Sequence, residues 1–249
     1  MRGTSDAARF LSLLLQDRVA RRTSVVLICI TVAILAVFVI SGIWDEQSRI
    51  AHALFRNLNP AWDEGVAESF NHGLSFMAAI FVLMAYIQVR ARVFLFLTAL
   101  YGFIWLDDSA QYHERAGEKL GQALGIPVDY GLGAQQYGEL LAWAIAGLLL
   151  LVVFAWFWHG RRPGDTGIVL PFFLCFMLLV IFGVFADMLH MVLPLRFDTL
   201  MQAVEDGGEM LAIAASTSLA LGISRNVEAY YDGVALAGSA ETARAQAAG

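Results

Sequence analysis

Charged residues are scarce in this 249-residue chain, where Asp, Glu, Lys and Arg together make up 15% of the sequence. Soluble domains carry about 25% of such residues, and they also contain fewer apolar residues. Hydrophobic residues make up 59% of this chain, and its mean hydropathy is +0.65. The shortage of charge therefore excludes an ordinary soluble domain and predicts a membrane protein.

Other features that are rare or missing exclude further classes of protein. The 16 Lys and Arg residues are spread thinly and the net charge is −6, so we expect no nucleic-acid partner. The only cysteines, Cys29 and Cys175, lie in apolar runs, where packing is the expected role and a disulfide framework is not. The alternating pattern of barrel strands is also missing, which leaves helices as the structure of the long apolar runs.

Six apolar runs approach the roughly 20 residues that a helix needs to cross a bilayer. They cover residues 24–44, 69–88, 93–114, 139–158, 168–190 and 199–223. The predicted fold class is therefore all-α, a polytopic membrane helix bundle with six transmembrane helices.

The distribution of positive charge predicts how this bundle is oriented. With the N-terminus in the cytoplasm, the outer loops hold only Arg49, Arg56, Arg115, Lys119 and Arg196, and the cytoplasmic segments hold the other eleven basic residues. The positive-inside rule therefore predicts a bacterial inner (plasma) membrane protein with both termini in the cytoplasm.

Three regions follow from this orientation. Residues 1–23 form a cytoplasmic segment, either an amphipathic helix along the membrane surface or the frayed start of a retained signal anchor. Residues 24–223 form the transmembrane domain, and the Ala-rich, polar residues 224–249 are predicted to be a flexible cytoplasmic tail. The two longer outer loops, residues 45–67 and 115–138, are candidates for a lid.

Acidic residues and histidines gather at one end of the predicted spans. Counted at about 1.5 Å per residue, all of them lie in the outer half of the membrane, and Asp107 and Glu209 are the deepest. They form a predicted cup that opens to the periplasm. The span interiors contain no Arg or Lys to neutralise the cup, so protons, water or a cation must supply the opposite charge.

A divalent metal meets that demand, because Asp, Glu and His are ligands of Zn, Fe and Mn. The candidate metal ligands are His72, Asp107, Asp108, Asp187, His190 and Glu209, and the candidate acid–base residues are Glu205 and Glu114. Further site candidates are Glu68, His113 and Glu139.

Each candidate also has a simpler interpretation. Glu68, Glu114 and Glu139 lie close enough to helix ends to be solvated by water or headgroups, and a carboxylate also favours a helix N-terminus. On an ideal helix His113 points about 120° away from Asp107, so the two share a face only if the helix is locally distorted. Asp108 is about 100° away from Asp107, and either aspartate is a candidate for the inward position.

The motifs "LDDSAQYHE", "GEL" and "EDGGEM" resemble those of uncharacterised bacterial multi-pass inner-membrane proteins with a DDxxxxHE helix end. A fainter similarity is to the alkaline-ceramidase-like membrane metallohydrolase superfamily, in which His, Asp and Ser hold zinc at one membrane face. That resemblance implies comparable roles for Ser69, His72, Asp107 or Asp108, and His190. The paired histidines of that superfamily, one helical turn apart, are missing here, and six spans stand in place of seven.

Two other metal arrangements use some of the same residues. Asp187-x-x-His190 resembles one Glu-x-x-His element of ferritin-like di-iron bundles, with Asp in place of Glu. A second copy of this element is missing. His72 and His190 are conceivable axial ligands of a haem, but the surrounding carboxylates make an unusual haem pocket.

The leading functional hypothesis is a membrane-embedded, hydrolase-like metalloenzyme that acts on a lipid or another hydrophobic molecule. The first alternative is a proton- or cation-coupled transporter or channel, for which the inner half of the bundle offers few polar groups. The second alternative is a structural or assembly protein with an acidic docking face. The expected partners are the lipid bilayer and a hydrophobic small molecule.

Overall fold

The computed structural model describes residues 2–62, 65–125, 132–194 and 197–247. Over these residues the chain is almost entirely helical. The helices are α1 (Arg2–Gln16), α2 (Arg18–Ile43), α3 (Arg49–Leu58), α4 (Val66–Val89), α5 (Arg92–Ala110), α6 (Tyr112–Leu124), α7 (Ala134–His159), α8 (Asp165–Val180), α9 (Asp187–Val192) and α10 (Asp198–Ala247). A π-helical segment, Ile181–Ala186, joins α8 to α9.

Six helical units are long and apolar enough to cross a membrane, which confirms the predicted fold class. They are α2, α4, α5, α7, the continuous unit from α8 to α9, and α10. Each one overlaps a predicted span. The long apolar runs were sufficient to find them because the backbone of each segment satisfies its own hydrogen bonds in lipid.

The third span ends earlier than the sequence predicted. Helix α5 stops at Ala110, Gln111 takes a left-handed conformation with φ of 49°, and α6 starts at Tyr112. The amide of Gln111 donates back to the carbonyl of Asp108, as expected of a helix C-terminus. The predicted outer loops also contain helices, α3 and α6, although residues 63–64 and 126–131 of the two lid candidates lie outside the described residues.

Helix α10 lies at the centre of the bundle and packs closely against α4. Fully buried alanines such as Ala78 and Ala85 on α4 and Ala214 and Ala220 on α10 let the two backbones approach. The hydroxyl of Thr217 donates to the carbonyl of Leu74 across this contact, at 2.9 Å. In contrast, α7 lies at the edge of the bundle, where its buried residues are Gly138 and Ala142.

The N-terminal segment is a helix, α1, whose apolar side packs against α8 and α10. Its Phe10 is 1% exposed, with its ring 6.3 Å from the ring of Phe172 and 6.2 Å from that of Tyr230. The apolar face therefore covers one end of the helix bundle. This end of the bundle, which also holds the C-terminal part of α10, is called the terminal face below.

The last span does not end at residue 223, and the prediction of a flexible tail from residue 224 onwards is wrong for its first part. Helix α10 continues to Ala247. Val227, Tyr230 and Val234 recur at helical spacing and are buried, and the Tyr230 hydroxyl donates to the carbonyl of Gly164 at 2.6 Å. Composition missed this packing because alanine and polar residues dominate the segment while a few apolar residues form its contact face.

Asp17 fixes the junction between α1, α2 and α10 at the terminal face. It caps α2 by accepting from the amides of Val19 and Ala20, and it pairs with the Arg225 guanidinium at 2.6 Å. The hydrogen bond from Arg225 is the main reason that the pKa of Asp17 falls from 3.8 to about 2.

We expect Asp17→Ala to lower the free energy of unfolding at neutral pH by about 1 kcal/mol through the lost cap. The lost ion pair with Arg225 should lower it further. Because the folded pKa is depressed, the contribution of the charged carboxylate is complete above pH 3.8 and is lost as the pH falls through about 2. The difference in Tm between wild type and Asp17→Ala should therefore shrink over this pH range. Asp17→Asn, which keeps a capping oxygen, should lose less. Equal Tm values for wild type and Asp17→Ala at neutral pH would contradict this role.

Candidate functional site

A polar cavity of about 360 Å³ opens at the end of the bundle opposite the terminal face, and we call it the cup. Every span except α2 contributes to its wall, together with α6. The lining side chains in the described part of the chain include no Arg or Lys. They comprise the carboxylates Glu68, Asp108, Glu114, Glu139, Asp187, Glu205, Asp206 and Glu209, the histidines His72 and His113, and the amides Asn71, Gln111, Gln135 and Gln136.

The structure brings most of the predicted site residues to this one cavity. Glu68, His72, Asp108, His113, Glu114, Glu139, Asp187, Glu205 and Glu209 all line the cup. Two predicted metal ligands, Asp107 and His190, do not line it. Asp107 is instead bonded to His113, and His190 to Glu205 and Asp198.

Asp107 is buried behind the wall of the cup, with 1% of its surface exposed. One carboxylate oxygen accepts from the backbone amide of His113 and the other pairs with the His113 Nδ1, both at 3.0 Å. The left-handed Gln111 provides the local distortion that turns His113 back toward Asp107. The prediction that Asp107 is a metal ligand is therefore not supported, because both of its oxygens hold His113.

His113 is the histidine that this pairing orients. The Asp107 carboxylate fixes the proton on Nδ1, which leaves Nε2 as the nitrogen available to a ligand. Burial opposes the charged ring, but the hydrogen bond to Asp107 and the charges of nearby carboxylates outweigh it, so the pKa of His113 is raised. The Trp143 ring lies 5.2 Å from the imidazole and packs beside it.

His190 lies at the rim of the cup rather than in its wall. Its Nδ1 is 2.8 Å from a Glu205 oxygen and its Nε2 is 3.1 Å from an Asp198 oxygen. Both ring nitrogens are therefore engaged, and none remains to bind a metal in this arrangement. The predicted role of His190 as a metal ligand is not supported, and the residue instead ties α9 to the start of α10.

The Glu209 carboxylate packs against the π-helical segment at Gly183. A Cβ added at Gly183, within that segment, would overlap the carboxylate of Glu209, and one added at Gly208 would overlap the Phe182 ring. The two glycines therefore let α10 and the π-helical segment approach closely, with the Glu209 carboxylate between them. Short π-helical segments within α-helices are frequent at functional sites.

Two polar atoms of the cup are buried without a hydrogen-bond partner among the described residues, Asn71 Oδ1 and Asp206 Oδ2. Such orphaned atoms are costly unless water or an ion completes their shell. Both residues were visible in the sequence but were left out of the predicted site. Asn71 precedes His72 on α4 and Asp206 stands between Glu205 and the glycine pair, so their position beside predicted members was the available signal.

The carboxylates of the cup are close to one another without a preformed metal shell. Asp187 and Glu205 both line the cup, the first on α9 and the second on α10. The Glu68 carboxylate is 3.7 Å from His72 Nε2. Within the described ranges, no group of three or more His, Cys, Asp or Glu side chains already has the spacing of metal ligands.

The model of a domain of unknown function, DUF8692, matches residues 25–222. The match covers four complete spans, most of α2, the first half of the central helix α10 and every lining residue of the cup. No curated protein and no solved structure matches the chain. Since the match extends over most of the sequence, the chain belongs to the DUF8692 family.

Proposed function

We propose that the cup binds a divalent metal ion, Zn, Fe or Mn, and that the protein is a metal-dependent, hydrolase-like enzyme of the bacterial inner membrane. In this proposal both termini lie in the cytoplasm and the cup opens to the periplasm, as the distribution of Lys and Arg favours. The substrate is a lipid or another hydrophobic molecule that reaches the cup from the outer leaflet.

This proposal rests on the excess of carboxylates over basic side chains in the lining of the cup. Eight carboxylates line one cavity of about 360 Å³, and no lining Arg or Lys in the described segments balances them. Like charges at this density repel one another strongly, so protons or cations must be bound as well. A divalent ion supplies two positive charges at one point and takes the oxygen and nitrogen ligands that are present.

The pairing of Asp107 with His113 supports the same assignment. A histidine that binds a metal commonly donates its other ring N–H to a carboxylate, which fixes the tautomer and strengthens the ligand. Here Asp107 holds Nδ1, so His113 Nε2 is the nitrogen ligand of the proposal. Asp108 and Glu209 are the oxygen ligands, because both line the small cavity that also contacts His113.

Metal binding on this proposal requires small movements of side chains. The ligands are on different helices and do not yet share one coordination shell. The volume of the cup, about 360 Å³, leaves space for an ion among these side chains. Glu205 on α10 and Glu114 on α6 remain the proposed acid–base residues, and a metal would lower the pKa of a bound water toward neutrality.

The second candidate function is proton handling without a fixed metal, and the lack of a preformed group of metal ligands among the described residues favours it. Proton relays in membranes use chains of Asp, Glu and His side chains, which are the residues that line the cup. A continuous transport path is less well supported, because buried apolar residues such as Phe94, Leu97 and Ile213 fill the half of the bundle beneath the cup.

Thermal unfolding in detergent with metal and with chelator tests the proposal. A ligand that binds only the folded state at 100 times its Kd raises the free energy of unfolding by about 2.7 kcal/mol. We therefore expect Zn, Mn or Fe to raise the Tm by several degrees above the chelated protein, while Mg has a smaller effect. If Tm is the same with each metal and with chelator, the metal site is wrong and proton handling becomes the better assignment.

A further inference from the structure

An apolar cavity of about 190 Å³ lies between α5, α7 and α8, and we call it the slot. Aromatic and aliphatic side chains line it, among them Leu97, Phe154 and Phe176. Two of its lining residues, Leu151 and Phe173, are 60% and 50% exposed, so the slot opens sideways toward the surface that faces lipid.

A third, smaller cavity lies between the slot and the cup and shares lining residues with each. This small cavity, of about 70 Å³, shares Leu150 and Phe176 with the slot. The same small cavity shares Asp108, His113 and Glu209 with the cup. The three cavities therefore follow one another along the gap between α5, α7 and span five, from an apolar end to an acidic end.

The dimensions of this path match one hydrocarbon chain. On α5 the path runs from Leu97 to Asp108, about 16 Å at 1.5 Å per residue. One leaflet of a bilayer contributes about half of a hydrocarbon core of about 30 Å. The path is also narrow, because helices bound it on both sides and the Phe96 and Phe154 rings meet at 5.0 Å near its deep end.

We infer that the slot binds an acyl chain of a membrane lipid whose polar head occupies the cup. The inference rests on the proposed function, because it makes this lipid the substrate of the metal site. An amphiphile is the ligand that matches a path with one apolar and one strongly polar end. The sideways opening exposes the apolar end of the path to the hydrocarbon of the membrane.

Gly147 offers a way to block the slot without disturbing the fold. It lines the slot, and a Cβ added there would meet no atom of the described residues within 4 Å. Gly147→Leu therefore fills the slot with a side chain, and it also replaces glycine in a helix with a better helix former. Gly102→Leu is the matched control, because Gly102 has equally open space and does not line the slot, the small cavity or the cup.

The test uses a phosphatidylethanolamine that carries a photoreactive diazirine near the end of one acyl chain, mixed into vesicles that contain the full-length protein. After irradiation, mass spectrometry locates the labelled residues. We expect labels on Phe154, Phe173 and Phe176 in the wild type and in Gly102→Leu, and roughly tenfold less in Gly147→Leu. Labelling of the slot no stronger than that of the lipid-facing Val32 on α2, or unchanged by Gly147→Leu, would overturn the inference.

Bound metal, measured on the same samples, separates this inference from the proposed function. Gly147→Leu should keep the metal content of the wild type, whereas Glu209→Gln should lose metal and keep the slot label. Slot labelling without metal in any sample would retain the chain subsite and reject the metal site. Metal without slot labelling would reject the chain subsite alone.

Discussion

Glu209→Gln is expected to weaken divalent-metal binding by at least about 100-fold, because it removes a carboxylate that we propose as a metal ligand. Loss of a partner that only orients a metal ligand typically costs 10- to 100-fold, so loss of a direct ligand should cost no less. The amide is almost isosteric with the carboxylate, and it still fits between α10 and Gly183. Calorimetric titration of the purified variant with Zn and Mn measures the change.

The same substitution should have the opposite effect on the metal-free protein. Without an ion, the Glu209 carboxylate adds to the repulsion among the lining carboxylates, so its neutral replacement should raise the Tm in chelator. Glu228→Gln is the matched control, because Glu228 is exposed on the terminal part of α10 and should change neither quantity. Unchanged metal affinity in Glu209→Gln would remove this residue from the site.

Gly138→Ala is expected to destabilise the protein by about 3 kcal/mol or more, which is at the upper end for overpacking. A Cβ at Gly138 would overlap the carbonyl group of Gly117 and come within 2.9 Å of the amide nitrogen of Gly121. These are backbone atoms of α6, and they cannot rotate away as a side chain would. The helices α6 and α7 must therefore separate.

This separation should also disturb the cup, because α6 and α7 carry His113, Glu114 and Glu139. We expect weaker metal binding together with the lower Tm. Gly147→Ala on the same helix is the control for the change in residue type, since its Cβ meets open space. It should raise stability by up to about 1 kcal/mol through helix propensity. A Tm of Gly138→Ala equal to that of the wild type would show that α6 and α7 are not held by this close contact.

The spans and the polar end of the bundle were predictable from the sequence for the same physical reason. Charged side chains are costly within hydrocarbon, so their depth along each apolar run restricts where they lie. Counting residues from the run boundaries placed Glu68, Asp108, Glu139 and Glu209 in the outer half of the membrane. The structure brings these four side chains to one cavity.

The pairing of individual side chains was not predictable, because it depends on short breaks in helices. An unbroken helix from residue 93 to 114 separates Asp107 from His113, whereas a single left-handed residue, Gln111, brings them together. Glutamine has no special preference for that conformation, so the local sequence gives little warning. The π-helical segment at Gly183 likewise depends on the packing of Glu209 and Phe182, which periodicity along one helix does not show.

The prediction of a flexible tail was wrong for its first part because it used the average composition of the segment. A few residues at helical spacing determine whether the segment packs against the bundle. Residues after 224 are rich in alanine and polar side chains, a mixture typical of disorder. Three buried residues, Val227, Tyr230 and Val234, are nevertheless enough to dock the helix at the terminal face. Alanine also has the highest helix propensity, which favours continuation of α10 beyond the membrane.

The most direct measurement is the metal content of the wild-type protein, purified in mild detergent and analysed by inductively coupled plasma mass spectrometry. The proposed function predicts a near-stoichiometric amount of Zn, Fe or Mn in the wild type and in Glu228→Gln, and its loss in Glu209→Gln. Folded wild-type protein that holds no divalent ion after incubation with all three metals would contradict the metal site. The cup would then be assigned to protonated carboxylates.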